Sequence, residues 1–211
     1  MPHPAVPLLL IISGPPCTGK TTLGRRLADD LRLPFIHKDG FKELLFDSLG
    51  WSDREWSKRL GQASYQLMFY FAETLLKAGC SFALEANFYP EFHTGLFRAL
   101  QQKCPFNPLQ VNCQARPEVV LERFRARSHT SERHPGHVDD STLSELATAL
   151  SSNRYLPLPL GGEVWVVDTT DFAKLDYPTL LRTVVAAVER QGLLKSDEQQ
   201  PASAVSLPDG D

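Results

Sequence analysis

The sequence predicts an α/β fold: a three-layer α/β/α sandwich with a five-stranded parallel sheet and a helical lid. Two observations predict it. Strand and helix signals alternate along the chain, as βαβ units require. The first apolar run, Leu8 to Ser13, breaks into a Gly-rich turn that opens an amphipathic stretch. At 211 residues the chain is long enough for one domain with a sizeable core, expected over 1–195.

The elements follow in order. After the first strand and its turn, Leu23, Leu27, Ala28 and Leu31 share one helical face, and Pro34 stops that helix. Phe35 to His37 is a short second strand, and Phe41 to Leu49 a short helix closed by Gly50. Ser52-x-x-Glu55 has the form of a capping box before a long helix reaching Lys77. The aromatics of that helix, Trp56, Tyr65, Phe69 and Phe71, read as core and groove wall. Ser81 to Ala86 is a third strand, Phe92 to Gln102 a helix and Leu109 to Cys113 a fourth strand. Pro117 to Arg127 is a helix with Pro in its first turn, followed by a polar stretch to Asp139. The region 116–140 is the expected lid. Ser141 to Leu150, the strand Val164 to Val167 and the helix Tyr177 to Gln191 complete the pattern. From Ser196 onward there is little to bury, so a disordered tail over 196–211 is expected.

The turn itself carries the chemistry. Gly14-Pro15-Pro16-Cys17-Thr18-Gly19-Lys20-Thr21-Thr22 has the Gly-x4-Gly-Lys-Thr spacing of a phosphate-binding P-loop. Its N–H groups at a helix N-terminus suit an anion, Lys20 brings a point charge to the β- and γ-phosphates, and Thr21 is a ligand for Mg²⁺. Cys17 stands where many P-loops have Gly, so one backbone position is less permissive. A thiol at a helix N-terminus can be reactive, but a small residue that fits the turn explains it as well.

Further candidates follow the strands. Asp39 sits after the second strand, where a carboxylate can act as general base toward an attacking hydroxyl; an N-cap of the Phe41 helix is the alternative. Lys42, one turn on, faces the same cleft and can hold an anionic or hydroxyl-bearing acceptor. Glu85 ends the third strand and Asp168 the fifth; either can support Mg²⁺, with Glu85 favoured and strand order deciding. Arg116, Arg123 and Arg127 form one helical stripe that can stabilise a transferring phosphoryl group, or else a solvated face paired with Glu118, Glu122 and Glu132. Arg133 lies in the following loop, with His129, His134, His137, Asp139 and Asp140, a set from which a zinc site is conceivable.

Bulk properties exclude several classes. The net charge of -3 gives no global attraction to nucleic acid or anionic membrane. The four cysteines, at 17, 80, 104 and 113, form no Cys-x-x-Cys pair, which argues against a zinc ribbon or redox motif. No signal peptide or membrane-length apolar run stands out, so a cytoplasmic protein with reduced thiols is expected.

These motifs resemble the P-loop kinases that phosphorylate small molecules or nucleic acid ends. The similarity is greatest to the AAA-type ATP-binding branch that includes the polynucleotide 5′-kinase domain; chloramphenicol phosphotransferase and zeta-type toxin kinases are more distant. The resemblance spans roughly 7 to 190 and rests on four motifs. Lys38-Asp39-Gly40-Phe41-Lys42 is similar to the segment carrying the catalytic aspartate, with Lys42 at a position usually held by Arg. Glu85-Ala86-Asn87-Phe88 resembles a strand-end Asp-Thr-Asn segment, which implies acceptor roles for Glu85 and Asn87. Arg123 and Arg127 match paired lid arginines, and Val167-Asp168-Thr169-Thr170 resembles the loop flanking adenine. The resemblance implies an ATP- and Mg²⁺-dependent kinase acting on a small-molecule hydroxyl, partly apolar given the aromatic helix, with a nucleic acid end less favoured. A nucleotide-dependent switch and an idle nucleotide-binding partner are the alternatives. Asp47-x-x-Gly50 fits a GTPase switch element, but no Asn-Lys-x-Asp accompanies it.

Overall fold

The computed structural model describes residues 6–128, 130, 133–138, 143–152 and 154–190. The expected tail, and His129, Glu132, Asp139 and Asp140 of the polar stretch, lie outside them. The strands are β1 (Leu8–Ser13), β2 (Phe35–His37), β3 (Phe82–Glu85), β4 (Asn107–Gln114) and β5 (Val164–Asp168). The helices are α1 (Lys20–Asp30), α2 (Lys38–Leu49), α3 (Arg54–Lys77), α4 (Pro90–Lys103), α5 (Pro117–Ser128), α6 (Leu143–Ser151) and α7 (Tyr177–Arg190). Among the described residues, 3₁₀ turns at Pro135–His137 and Phe172–Lys174 stand before α6 and α7.

All five strands pair in parallel in the order β2-β3-β1-β4-β5. β1 is central and buried along its whole length, which is why it reads as an unbroken apolar run. Leu10 and Ile12 pack with Leu23 and Leu27 of α1 and Val184 and Val188 of α7. Leu9 and Ile11 pack on the other face with Met68 and Ala72 of α3 and Phe97 and Leu100 of α4. Each such fully buried side chain contributes about 1.5–3 kcal/mol, so β1 alone anchors both layers.

Two helix starts differ from expectation. α2 begins at Lys38, because the His37 ring accepts from the Gly40 amide at 3.1 Å and serves as the cap. Asp39 is therefore inside the first turn and is not the N-cap. α3 is capped by Asp53, whose carboxylate accepts from the Trp56 amide at 2.8 Å; Ser52, the start of the expected capping box, is not the cap. The α3 aromatics also divide. Tyr65 and Phe69 pack on the core, while Trp56 donates from its indole to the Gly50 carbonyl and Phe71 stacks on Phe41 at 5.4 Å.

One tie had no signal in the sequence. Gln110 and Asn112 of β4 are fully buried polar side chains. The Gln110 amide donates to the Leu158 carbonyl at 2.8 Å and accepts from the Leu158 amide at 2.9 Å. Asn112 donates to the Tyr155 carbonyl at 3.0 Å. These bonds hold the segment between α6 and β5 against the sheet. Gln110→Leu leaves two buried backbone groups of Leu158 without partners. A loss of about 2–4 kcal/mol is expected, read by urea unfolding.

Candidate active site

The phosphate cradle is built where β1 gives way to α1. Gly14 takes φ +131, and a Cβ there would lie 2.0 Å from the Cys113 carbonyl oxygen. Gly19 caps α1 at φ +76. Between them Cys17 also takes a left-handed conformation, φ 60, while its side chain packs against the cluster formed by α5 and α6. For a residue with a Cβ this costs roughly 1–2 kcal/mol. Such alternation of left- and right-handed residues turns successive N–H groups toward one centre and makes an anion-binding concavity.

Lys20 is buried. Its amine donates to the Pro15 carbonyl at 2.8 Å and lies 4.0 Å from Glu85 Oε1. Thr18 donates to the same Pro15 carbonyl at 2.9 Å. Thr21 donates to Glu85 Oε2 at 2.9 Å. Pro16 and Thr22 complete the loop, Pro16 half-buried and Thr22 exposed. Burial raises the pKa of Glu85 above the usual carboxylate value; Lys20 opposes this and Asp39 adds to it. Thr21 and Glu85 thus present two hard oxygen donors at the mouth of the cradle, a donor set that fits Mg²⁺.

Strand order separates the two acidic candidates. β3 lies directly beside β1, with Ile12 opposite Glu85. Asp168 ends the edge strand β5, opposite Gln114, where it is exposed and accepts from the Thr170 amide at 2.8 Å. Arg116, Asp168, Thr170, Asp171 and Lys174 line a cavity there. The Phe172 ring reaches back toward Gly19, so this loop flanks the cradle.

Across the sheet, Asp39 stands at the end of β2, and β2 pairs with β3 through His37 opposite Glu85. Asp39 Oδ1 accepts from the Lys38 amine and Oδ2 from Arg133, each at 3.0 Å. Burial pushes its pKa upward, but Lys38, then His137 and Arg133, outweigh that and hold it well below the usual carboxylate range. Lys42 does not face an open cleft. It is buried between α2 and α3, donates to Ser57 at 2.9 Å and lies 5.2 Å from the Phe46 ring centre. Burial, reinforced by Lys38, lowers its amine to about 7. Asn87 is half-buried just past β3, its carbonyl accepting from the Tyr65 hydroxyl at 2.9 Å.

The arginine stripe on α5 divides. Arg123 donates to the carbonyls of Thr169 and Thr170 at 3.0 and 2.9 Å, tying α5 to the loop after β5. Arg116 pairs with Glu118 at 3.5 Å, the surface pairing that was the alternative reading. Arg127 lies 5.8 Å from the Phe124 ring centre. Arg133, to which the sequence attached no role, reaches Asp39. Its neighbours explain how. His134 stacks on Phe46 at 4.9 Å and bonds to Asp47, and His137 is buried and bonded to Glu43 at 2.9 Å. The two histidines thus go to separate carboxylates, and among the described residues no group of three His, Cys, Asp or Glu side chains gathers in a metal-binding cluster.

The Lys42 amine links stability to pH. The native group titrates near 7 and the unfolded one near 10.5. Below pH 7 both states hold the proton and the cost of burying charge is fully present. Between these values the unfolded chain binds more protons, so stability rises with pH. The expected result is that the unfolding free energy of the wild type climbs from pH 7 to 10 relative to Lys42→Met. The variant is the more stable of the two at pH 6, as urea denaturation at each pH would measure.

Comparison with known proteins bears on this geometry. Residues 9–151 match a family described as an AAA domain. The chain is similar to a candidate kinase from Chloroflexus aurantiacus, at 42% identity and a TM-score of 0.81, covering 86% of this chain and 98% of that one. A sugar kinase from Janibacter sp. shares the fold at 13% identity and a TM-score of 0.55, covering 90% and 99%. A shikimate kinase from Bacteroides thetaiotaomicron does so at 16% and 0.51, covering 86% and 98%. No curated protein matches. By the family match and the 42% identity, the chain belongs to the AAA-domain family within the P-loop kinase superfamily.

Proposed function

We propose that the protein is an ATP-dependent phosphotransferase that moves the γ-phosphoryl group of Mg·ATP to a hydroxyl of a small molecule. The observation that carries this reading is the placement of Lys20, Thr21, Glu85 and Asp39 at the carboxyl ends of three adjacent strands, β1, β3 and β2. Ligands of open α/β sheets bind at those ends.

The loop from Gly14 to Thr22 holds the phosphates, and Lys20 exchanges the Pro15 carbonyl for phosphate oxygens. When bound through Thr21 and Glu85, Mg²⁺ supplies charge neutralisation at the phosphates. Asp39 orients the acceptor hydroxyl. As the new oxygen–phosphorus bond forms and the bond to ADP breaks, the hydroxyl proton passes to Asp39. A strongly acidic carboxylate serves here because the transition state is loose and the proton leaves late. Arg127 and Arg123 stabilise charge on the transferring group, Arg123 after exchanging its two carbonyl partners. Asp168 and its loop border the nucleobase.

Glu85 and Asn87 border the acceptor, while Lys42 keeps its bond to Ser57. Tyr65, Phe88, Tyr89 and His93 pack as a connected aromatic group beside Asn87, which supports a partly apolar acceptor in preference to a nucleic acid end. Four cysteines without a disulfide suit a cytoplasmic enzyme. A switch reading gains nothing from Asp47, which lies within α2 and bonds to His134.

Lys20→Ala is expected to abolish the heat of Mg·ATP binding in calorimetry. Asp39→Asn is expected to bind Mg·ATP as the wild type does and to transfer phosphate at least ~100-fold more slowly in an ADP-release assay over an acceptor panel. Full transfer by Asp39→Asn would remove Asp39 from the role of base.

A further inference from the structure

We propose that Lys38 positions Asp39 for the transfer: its amine grips Oδ1 from the inner side of the site and fixes the plane of the carboxylate that meets the acceptor hydroxyl. The inference rests on the kinase reading above and adds a positioning residue to the same site.

The pairing is not one that helix geometry supplies. Lys38 and Asp39 are the first two residues of α2. Side chains at i and i+1 of a helix point about 100° apart and do not face each other. Yet the Lys38 amine lies 3.0 Å from Asp39 Oδ1, so its chain bends across the first turn. A second contact draws it there. The amine stands 5.8 Å from the Tyr65 ring centre, within cation–π range. Tyr65 comes from α3 and is itself fixed. Its hydroxyl donates to the Asn87 carbonyl at 2.9 Å and its ring packs on His93 at 4.6 Å. One residue on, the Phe88 amide donates to Ser13 Oγ at 3.2 Å, at the end of β1. A chain of contacts thus runs from the strand that bears the cradle, through Asn87, Tyr65 and Lys38, to Asp39.

This arrangement leaves Asp39 able to work. The Lys38 side chain is 16% exposed against 41% for Asp39, so the amine lies on the inner side of the carboxylate and the outer side stays open. A carboxylate offers about four lone-pair directions. Lys38 takes one on Oδ1 and Arg133 one on Oδ2, so the acceptor hydroxyl bonds without displacing either.

Charge agrees with the geometry. Around Asp39 stand Lys38, Lys42 and Glu43 of α2, Arg133 and His137 of the segment covering α2, Glu85 of β3 and Tyr65 of α3. Burial pushes the Asp39 pKa up, and of the groups that hold it down Lys38 is the largest.

The test reads the carboxyl directly. The full chain, carrying aspartate labelled with ¹³C at the side-chain carboxyl, is titrated by NMR; the Asp39 signal is the one lost in Asp39→Asn. Lys38→Met is expected to move the Asp39 midpoint upward by at least ~1 pH unit. Tyr65→Leu is expected to produce part of that shift, and more of it than Tyr65→Phe, which keeps the ring. With Mg·ATP and a panel of sugars, polyols and nucleosides, Lys38→Met is expected to lose at least ~10-fold in kcat toward the best acceptor, with KM little changed. Lys38→Arg, which keeps a cation beside Oδ1, is expected to recover most of it. A merely structural lysine would not move the carboxyl midpoint. An unmoved midpoint in Lys38→Met, or a loss confined to KM, overturns the role of Lys38 while transfer by the wild type upholds the kinase reading. Absence of transfer by the wild type to every member overturns that reading and the role in transfer with it, although the titration still reports the bond between Lys38 and Asp39.

Discussion

The parallel register that sets Ile12 opposite Glu85 governs this site. It delivers a carboxylate from the end of β3 to within 2.9 Å of Thr21 and 4.0 Å of Lys20, at the point where the chain leaves β1 to form the cradle. Strand residues alternate between faces, so a slip of one residue would send Glu85 into an apolar layer and leave Lys20 buried without it. The apolar cores on either side of β1 prevent that slip. Leu9 and Ile11 belong to one layer and Leu10 and Ile12 to the other, and neither pair can change sides without opening both. The chemistry of the cradle is thus secured by packing well below it.

Electrostatics then divides the carboxylates. Glu85 is buried, and its pKa is raised; Asp39, a strand further out, sits among Lys38, His137 and Arg133, and its pKa is lowered. Environments that push two acids apart assign them different tasks. A carboxylate that gives up its proton reluctantly to water but accepts hard oxygen neighbours fits beside Thr21. One that is ionised at any physiological pH fits beside a hydroxyl that must be oriented before it is deprotonated. Phosphoryl transfer asks mostly for position and charge, and both groups are held by elements that begin or end at the same sheet edge.

Much of this was legible in the sequence. The Gly-Lys-Thr turn depends on residues whose backbone or charge requirements few others meet, and the strand-end acids stand out because a charge closes an apolar run. What could not be read is equally specific. Ser52 and Asp53 are both good caps, and only the final φ of the helix entrance selects Asp53. His37 caps α2 through its ring, a role that propensity seldom gives to His. Lys42 was expected in the cleft, but α3 packs over it and Ser57 takes its amine. Arg123 lies on the expected stripe, yet the Thr169 and Thr170 carbonyls claim it, which only the meeting of α5 with the loop after β5 decides. Arg133 reaches Asp39 across 94 residues, and no local spacing carries such a contact.

That long-range contact ties the turn over α2 to the residues that follow β2. The turn bearing His134 and His137 is seated on α2 by stacking on Phe46 and by the bond from His137 to Glu43. α2 itself starts from the cap at the end of β2, so Asp39, its arginine partner and the support of that arginine all belong to one helix and its covering turn. A shift of α2 against the sheet would move Asp39 and Arg133 together and leave their pairing intact.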